Sequence, residues 1–256
     1  MLTEEKLTSL LIERAQSDLI TQQVLLGINW TIFQAQSASA TSSVGLCFSP
    51  INIPRNLPWS GTLAGQPVNE LSRWFASDNP CEAAIGLAAV NAVINQSDNS
   101  LIQKSLPLMV NDNFHLSVFD YFSEQLTDAR VIIIGRYPGL DRYKKQFNFQ
   151  CIERRPGPDD LPESAAKTEL PKADWVFITA SSIANKTLPS LLSYCQNAKV
   201  VLMGPTMPWL AEWEEFGVDY LAGVEVMDVQ RLYQIVAEAG GTRIFEDAVR
   251  YRVLAF

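Results

Sequence analysis

The chain has 256 residues, 47% of them apolar, enough to bury one large core or two modest ones. Twenty basic residues against 28 acidic ones give a formal charge of −8 and a pI near 4.8. Such a surface repels a phosphate backbone and argues against nucleic acid as a partner.

Residues 1–20 set Leu2, Leu7, Leu10, Leu11 and Ile12 among Glu4, Glu5 and Glu13. That is the pattern of an amphipathic helix, not of a leader with a basic start and an apolar middle. No apolar run approaches the roughly 20 residues that span a bilayer, so no membrane is expected and the expected setting is cytoplasmic. Three stretches rich in β-branched, aromatic and aliphatic residues follow, at 23–28, 30–36 and 44–48, and they predict a small antiparallel sheet. Residues 49–66 carry Pro50, Pro54, Pro58, Gly61 and Gly65 and read as a long loop.

A short helix is expected at 68–75. The next one has a legible start, with Asn79 as N-cap, Pro80 at the first helical position and Glu82 three residues after the cap. Its body is apolar all round and built of small residues, which marks a buried helix; Asn91 and Asn95 lie one turn apart on it. A polar–apolar–polar stretch at 96–113 suggests a boundary. Beyond it, short apolar strands at 130–134, 149–152, 174–179, 199–203 and 219–221 alternate with helical segments, the signature of a parallel sheet covered on both faces.

Ligands of open parallel sheets bind outside the carboxyl ends of the strands, so the post-strand residues are the candidates. Gly135 and Arg136 follow the first strand and Glu153, Arg154 and Arg155 the second. Thr179, Ser181 and Ser182 follow the third, Gly204, Pro205 and Thr206 the fourth, and Ala222 and Gly223 the fifth. The first turn, I-I-I-G-R-Y-P-G-L, has only part of a dinucleotide glycine fingerprint. Glu153 nevertheless stands near the spacing at which an acid meets a ribose hydroxyl. The structural alternative is a tight strand–helix turn with a Glu153–Arg154 surface pair. Asn185, Lys186 and Thr187 precede a helix and read either as an anion site or as a Thr187 N-cap beside a solvated lysine. A buried Asn91 must satisfy its amide, and Glu82 serves a capping box.

The four cysteines, Cys47, Cys81, Cys151 and Cys195, are scattered and form neither a C-x-x-C pair nor a disulfide framework. The single histidine, His115, excludes a multi-histidine metal site within one chain and sits in a polar connector where solvation is expected. No G-x-S-x-G occurs, so a serine triad has no support.

An ordered series of motifs carries a family resemblance: G-T-L-A-G at 61–65, N-P-C-E-A-A-I-G-L-A-A-V-N-A at 79–92, I-G-R-Y-P-G-L at 134–140 and E-R-R-P at 153–156. It continues with D-L-P-E-S-A-A at 160–166, I-T-A-S-S-I-A-N-K-T at 178–187, G-P-T at 204–206, L-A-G-V at 221–224 and G-G-T-R-I-F at 240–245. Over most of its length the chain resembles the “putative heavy-metal-chelation domain” family of prokaryotes. The resemblance implies an α/β fold, with a small α+β N-terminal domain (enolase N-terminal-like) followed by a Rossmann-like parallel-sheet domain and a site between them. With the boundary above, the domains are expected at 1–110 and 111–256.

The ligand implied is a heavy-metal ion, a metal chelate or another metal-containing or anionic small molecule. Its expected binding residues are Asn91, Gly135, Arg136, Glu153, Arg154, Asn185, Lys186, Thr187, Gly204 and Thr206, with the 61–65 loop. Glu82 and Glu153 are the metal-ligand candidates. Soft metals prefer thiolate and imidazole, which this chain offers sparsely, so a preformed chelate or an anion is the easier cargo. Ligands from a second copy of the chain could complete a site. The alternatives are an enzyme using a nucleotide-like cofactor, with Glu153 on a ribose, and a subunit of a metal-handling assembly.

Overall fold

The computed structural model describes residues 2–38, 42–54, 56–109 and 114–256. It opens with α1 (Glu4–Arg14), whose N-cap Thr3 accepts from the Lys6 N–H and whose Leu7 and Leu11 are buried. Strands β1 (Ile20–Leu26), β2 (Trp30–Gln36) and β3 (Ser42–Phe48) form the expected antiparallel sheet in the order β1-β2-β3. Then α2 (Val68–Ser72) tightens into a 3₁₀ turn at Arg73–Ala76.

Helix α3 (Pro80–Ile94) begins as its sequence dictates, with Asn79 Oδ1 accepting from the Cys81 N–H. The capping box is relayed: Ser77 Oγ donates to Glu82 Oε2 at 2.6 Å and accepts from the Asn79 N–H. The small residues of α3 let backbones meet. A Cβ on Gly45 of β3 would stand 2.0 Å from the Ala88 carbonyl oxygen. The segment ends with α4 (Ser100–Lys104) and the two-residue β4 (Leu106–Pro107).

The second half runs through α5 (Ser117–Phe122), β5 (Val131–Ile134), a 3₁₀ helix at Leu140–Lys145, β6 (Phe149–Glu153), β7 (Leu161–Pro162) and α6 (Ala166–Glu169). It continues with β8 (Trp175–Thr179), α7 (Ser181–Ala184), α8 (Leu188–Tyr194) and β9 (Lys199–Met203). The last elements are β10 (Tyr220–Val226), α9 (Val229–Ala237), α10 (Ile244–Asp247) and β11 (Val249–Ala255).

These strands make one eight-stranded sheet in the order β4-β11-β10-β9-β8-β5-β6-β7. From β10 to β7 every pairing is parallel, but β11 runs antiparallel to β10 over seven residue pairs, and β4 antiparallel to β11. The sheet is therefore mixed, not parallel throughout. The cause is visible in V-R-Y-R-V: Val249, Tyr251 and Val253 turn inward, while Arg250 and Arg252 turn to Glu225 on β10. That period-2 alternation suits a strand with one polar face.

Alternate residues of the central strands feed two core layers. Ile132, Val176, Ile178 and Leu202 pack with Leu11, Phe33 and α3, whereas Ile133, Phe177, Val201 and Met203 pack with Phe119, Phe122 and Leu232. The small sheet contributes to both, through Phe33 and Cys47 on one side and Ile32 and Leu46 on the other. The two halves of the chain thus share their cores, and β4, which precedes residue 110, belongs to the larger sheet. Among the described residues no helix is long and apolar enough to cross a membrane.

Candidate functional site

The chain leaves β5 for β6 on one side and later enters β8 on the other. Loops therefore diverge at the carboxyl ends of β5 and β8, which is where an open sheet forms a crevice. A cavity of about 710 Å³ lies there. Strand ends supply its floor, Phe48 at the end of β3 with residues 49–52 after it one wall, and Thr242, Phe245 and Tyr251 another.

Two glycines allow the floor to exist. Gly135 has φ +95°, and a Cβ there would come within 3.0 Å of Thr179 Cγ2; Gly204 has φ +118°. Both conformations are ones that side chains resist. Gly135, where the sequence reads part of a dinucleotide fingerprint, is thus required by the turn itself.

Beside Gly135 the charges are heavily engaged. Glu153 ends β6, and its carboxylate accepts three backbone N–H groups: Arg136 at 2.9 Å on Oε2, Arg154 at 2.8 Å and Arg155 at 3.3 Å on Oε1. The Arg136 guanidinium donates to Asp141 and, at 2.8 Å, to Asp160, a side chain only 5% exposed. Desolvation works against the Arg136 charge, but these two hydrogen-bonded carboxylates outweigh it and hold the group above its ordinary pKa. Arg154 faces Glu163 at 3.6 Å, so the expected Glu153–Arg154 side-chain pair is replaced by a bond from the Arg154 backbone. Arg155 is exposed on the cavity edge and enters no ion pair among the described residues.

The opposite side of the floor is neutral. Thr179 and Ser181 share a hydroxyl pair at 3.1 Å, and Thr206 Oγ1 accepts from the Phe48 N–H at 2.9 Å. Thr206 is fixed from behind by α3. Asn91 Nδ2 donates to the carbonyls of Leu46 and Thr206, each at 2.8 Å. Asn95 bonds the Met207 carbonyl and the Trp209 N–H, and Asn99 the Trp209 carbonyl. Three asparagines thereby strap residues 206–209 to the first half of the chain. His115 Nε2 lies 2.8 Å from the Pro138 carbonyl oxygen, which can only accept, so that nitrogen carries the proton. The ring is half-buried at the cavity wall.

Of the residues expected from the sequence, Gly135, Arg136, Glu153, Arg154, Asn185, Thr187, Gly204 and Thr206 come together around the cavity. Asn91, Lys186, Glu82 and the 61–65 loop lie outside its lining. Asn91 is wholly buried behind it, and Glu82 is held by Ser77. Lys186, in a left-handed conformation at φ +59°, turns to the Ser77 carbonyl at 3.4 Å and Glu4 at 3.6 Å. Thr187 precedes α8 but its side chain makes no capping bond. The aromatic wall of Trp30, Phe48, Phe245 and Tyr251 went unread, because its members lie far apart in sequence and meet only through the sheet topology.

A bare metal ion finds little here. Among the described residues no three His, Cys, Asp or Glu side chains cluster as ligands. All four cysteines are buried, and burial pushes Cys151 up to about 11, Cys195 up to about 12, and Cys47 and Cys81 upward as well, so the thiolate is disfavoured at neutral pH.

Residues 117–255 match one family model and residues 8–94 a second, both described as “Putative heavy-metal chelation”. A crystal structure of a DUF364-family protein of unknown function from Desulfitobacterium hafniense superposes with a TM-score of 0.83 at 25% identity, over 98% of each chain. A DUF364-family protein of unknown function from Pyrococcus horikoshii superposes with a TM-score of 0.76 at 20% identity, over the full length of both. An uncharacterised protein of Methanocaldococcus jannaschii is 27% identical over 179 residues, which span 65% of this chain and 63% of that relative.

Proposed function

This chain belongs to the DUF364 family, and from that premise we propose that it binds a small molecule, best a preformed metal chelate, in the cleft between its two sheets. One observation carries the reading. A cavity of about 710 Å³ joins an aromatic wall to a floor of hydroxyls, yet the described residues around it offer no three-ligand cluster. A chelate brings its own ligands, so the protein need supply only shape, hydrogen bonds and charge at the edge. Trp30, Phe245 and Tyr251 suit the apolar body of such a molecule, the strand-end hydroxyls its polar atoms, and Arg155 any anionic group. In this reading the eight-stranded sheet is Rossmann-like, and β1–β3 with α3 form the enolase N-terminal-like layer. The unbridged cysteines support a cytoplasmic setting.

The second reading, a nucleotide-like cofactor with Glu153 on a ribose, is favoured by the cavity's place at the β5/β8 divergence and by Glu153 at the end of β6. A thermal-shift series on metal-stripped protein separates the two, using divalent metals, oxyanions, chelated metals and nucleotides. A ligand at 100 times its Kd stabilises by about 2.7 kcal/mol. For a chain of this size each kcal/mol raises Tm by roughly 2–4 °C. A rise with chelated metals alone is the expected result. A rise confined to nucleotides would transfer the proposal to the second reading.

A further inference from the structure

A strand-to-loop turn with a left-handed glycine presents backbone N–H groups to the crevice of an open sheet, and in many such folds a ligand phosphate fills them. Here they are already filled. The N–H that follows Gly135, on Arg136, and the two that follow Glu153, on Arg154 and Arg155, all converge on the Glu153 carboxylate. The carboxylate is half-buried and lines the cavity. The cation that would otherwise welcome a phosphate, Arg136, is committed to Asp141 and Asp160. Lys186 turns to Glu4 and the Ser77 carbonyl.

We infer that Glu153 is a resident anion and the specificity-determining residue of the cavity, closing the Gly135 corner to phosphates and reserving it for an uncharged, hydroxyl-bearing group. Two physical effects act together. A phosphate arriving at this corner would meet a carboxylate at close range, and the three backbone N–H groups and the Arg136 guanidinium that could compensate its lost hydration are already engaged. A neutral hydroxyl meets neither obstacle. A carboxylate has about four lone-pair positions, and three N–H bonds leave one to accept an O–H. Negative charge on a ligand is then left to the cavity edge, beside Arg155. This inference rests on the cavity being a binding site and adds to that reading which end of the ligand goes where.

The test uses inorganic pyrophosphate as the probe anion and the uncharged, environment-sensitive dye prodan as a reporter of the cavity. Wild type, Glu153→Ala and the isosteric Glu153→Gln are each confirmed folded by circular dichroism and titrated by calorimetry and dye displacement. Pyrophosphate is expected to bind wild type no more than weakly, at the Arg155 edge, and to leave the dye in place. In the variants it should displace the dye, with an association constant higher by about tenfold or more, as suits an anion gaining charge-assisted N–H bonds. Equal binding to wild type and variants, or no gain in either folded variant, would overturn the inference. If prodan binds to none of the three, the cavity reading fails instead, and the calorimetric gain or its absence still decides the role of Glu153.

Discussion

The two loops that close the cleft are held by opposite chemistry. Residues 206–209 are strapped to α3 by neutral amides, with Asn91 fully buried and Asn95 and Asn99 half-buried. The Gly135 turn and the segment after β6 are held by charges, through Glu153, Arg136, Asp141 and Asp160. Neutral amides bonded to buried carbonyls are indifferent to pH and salt, and losing one leaves acceptors stranded. Ion pairs near the surface are weaker and respond to both. One lip of the cleft is therefore built for permanence, and the other can be adjusted.

The amide lip should be the costlier to break. Asn91→Ala leaves the Leu46 and Thr206 carbonyls without their shared donor and is expected to lower the free energy of unfolding by about 3 kcal/mol, read from urea denaturation. A loss under about 1 kcal/mol would collapse the contrast. On the charged lip, Asp160→Asn keeps the shape but removes the closest buried charge from Arg136, and about 1–2 kcal/mol is expected from the same measurement.

The smallest effect is a local one. Asp141 is held below its ordinary value of 3.8 by Lys144 first and Arg136 second. A lowered folded-state value means that its contribution is complete above 3.8 and fades as pH falls through the lower folded value. Amide exchange at Arg136 should accelerate in that acid range while the Trp209 N–H, bonded to Asn95, changes no more than the global stability requires.

The sequence disclosed what depends on local pattern. The three antiparallel strands, the Asn79 start of α3 and the central apolar strands all follow from periodicity and capping, which act within a few residues. The post-strand rule likewise found Gly135, Glu153, Thr179 and Thr206, because strand ends share one edge of the sheet. Partner choice was less legible. Whether Lys186 would face the crevice or Glu4, and whether Arg136 would meet a ligand or two aspartates, depends on residues brought together by the fold. The bond from His115 to the Pro138 carbonyl, at the edge of the cavity, depends on the fold in the same way. The mixed sheet was legible in principle: V-R-Y-R-V alternates with period 2, but a search for strand–helix units passes over a strand that follows a single helical turn.

The short strand β4 pairs with β11, and Ser105 beside it accepts from Arg252, 147 residues further along the chain. Tyr251 and Phe245, which wall the cavity, belong to the same late region. During synthesis from the N-terminus, α3 and the small sheet can pack early, but the sheet edge and the cleft must wait until β11 has left the ribosome. Contacts that span so much chain form slowly. Assembly of the cavity is thereby tied to the late strand: a growing or interrupted chain carries the asparagine strap's donors and the glycine turn but lacks the Phe245 and Tyr251 wall.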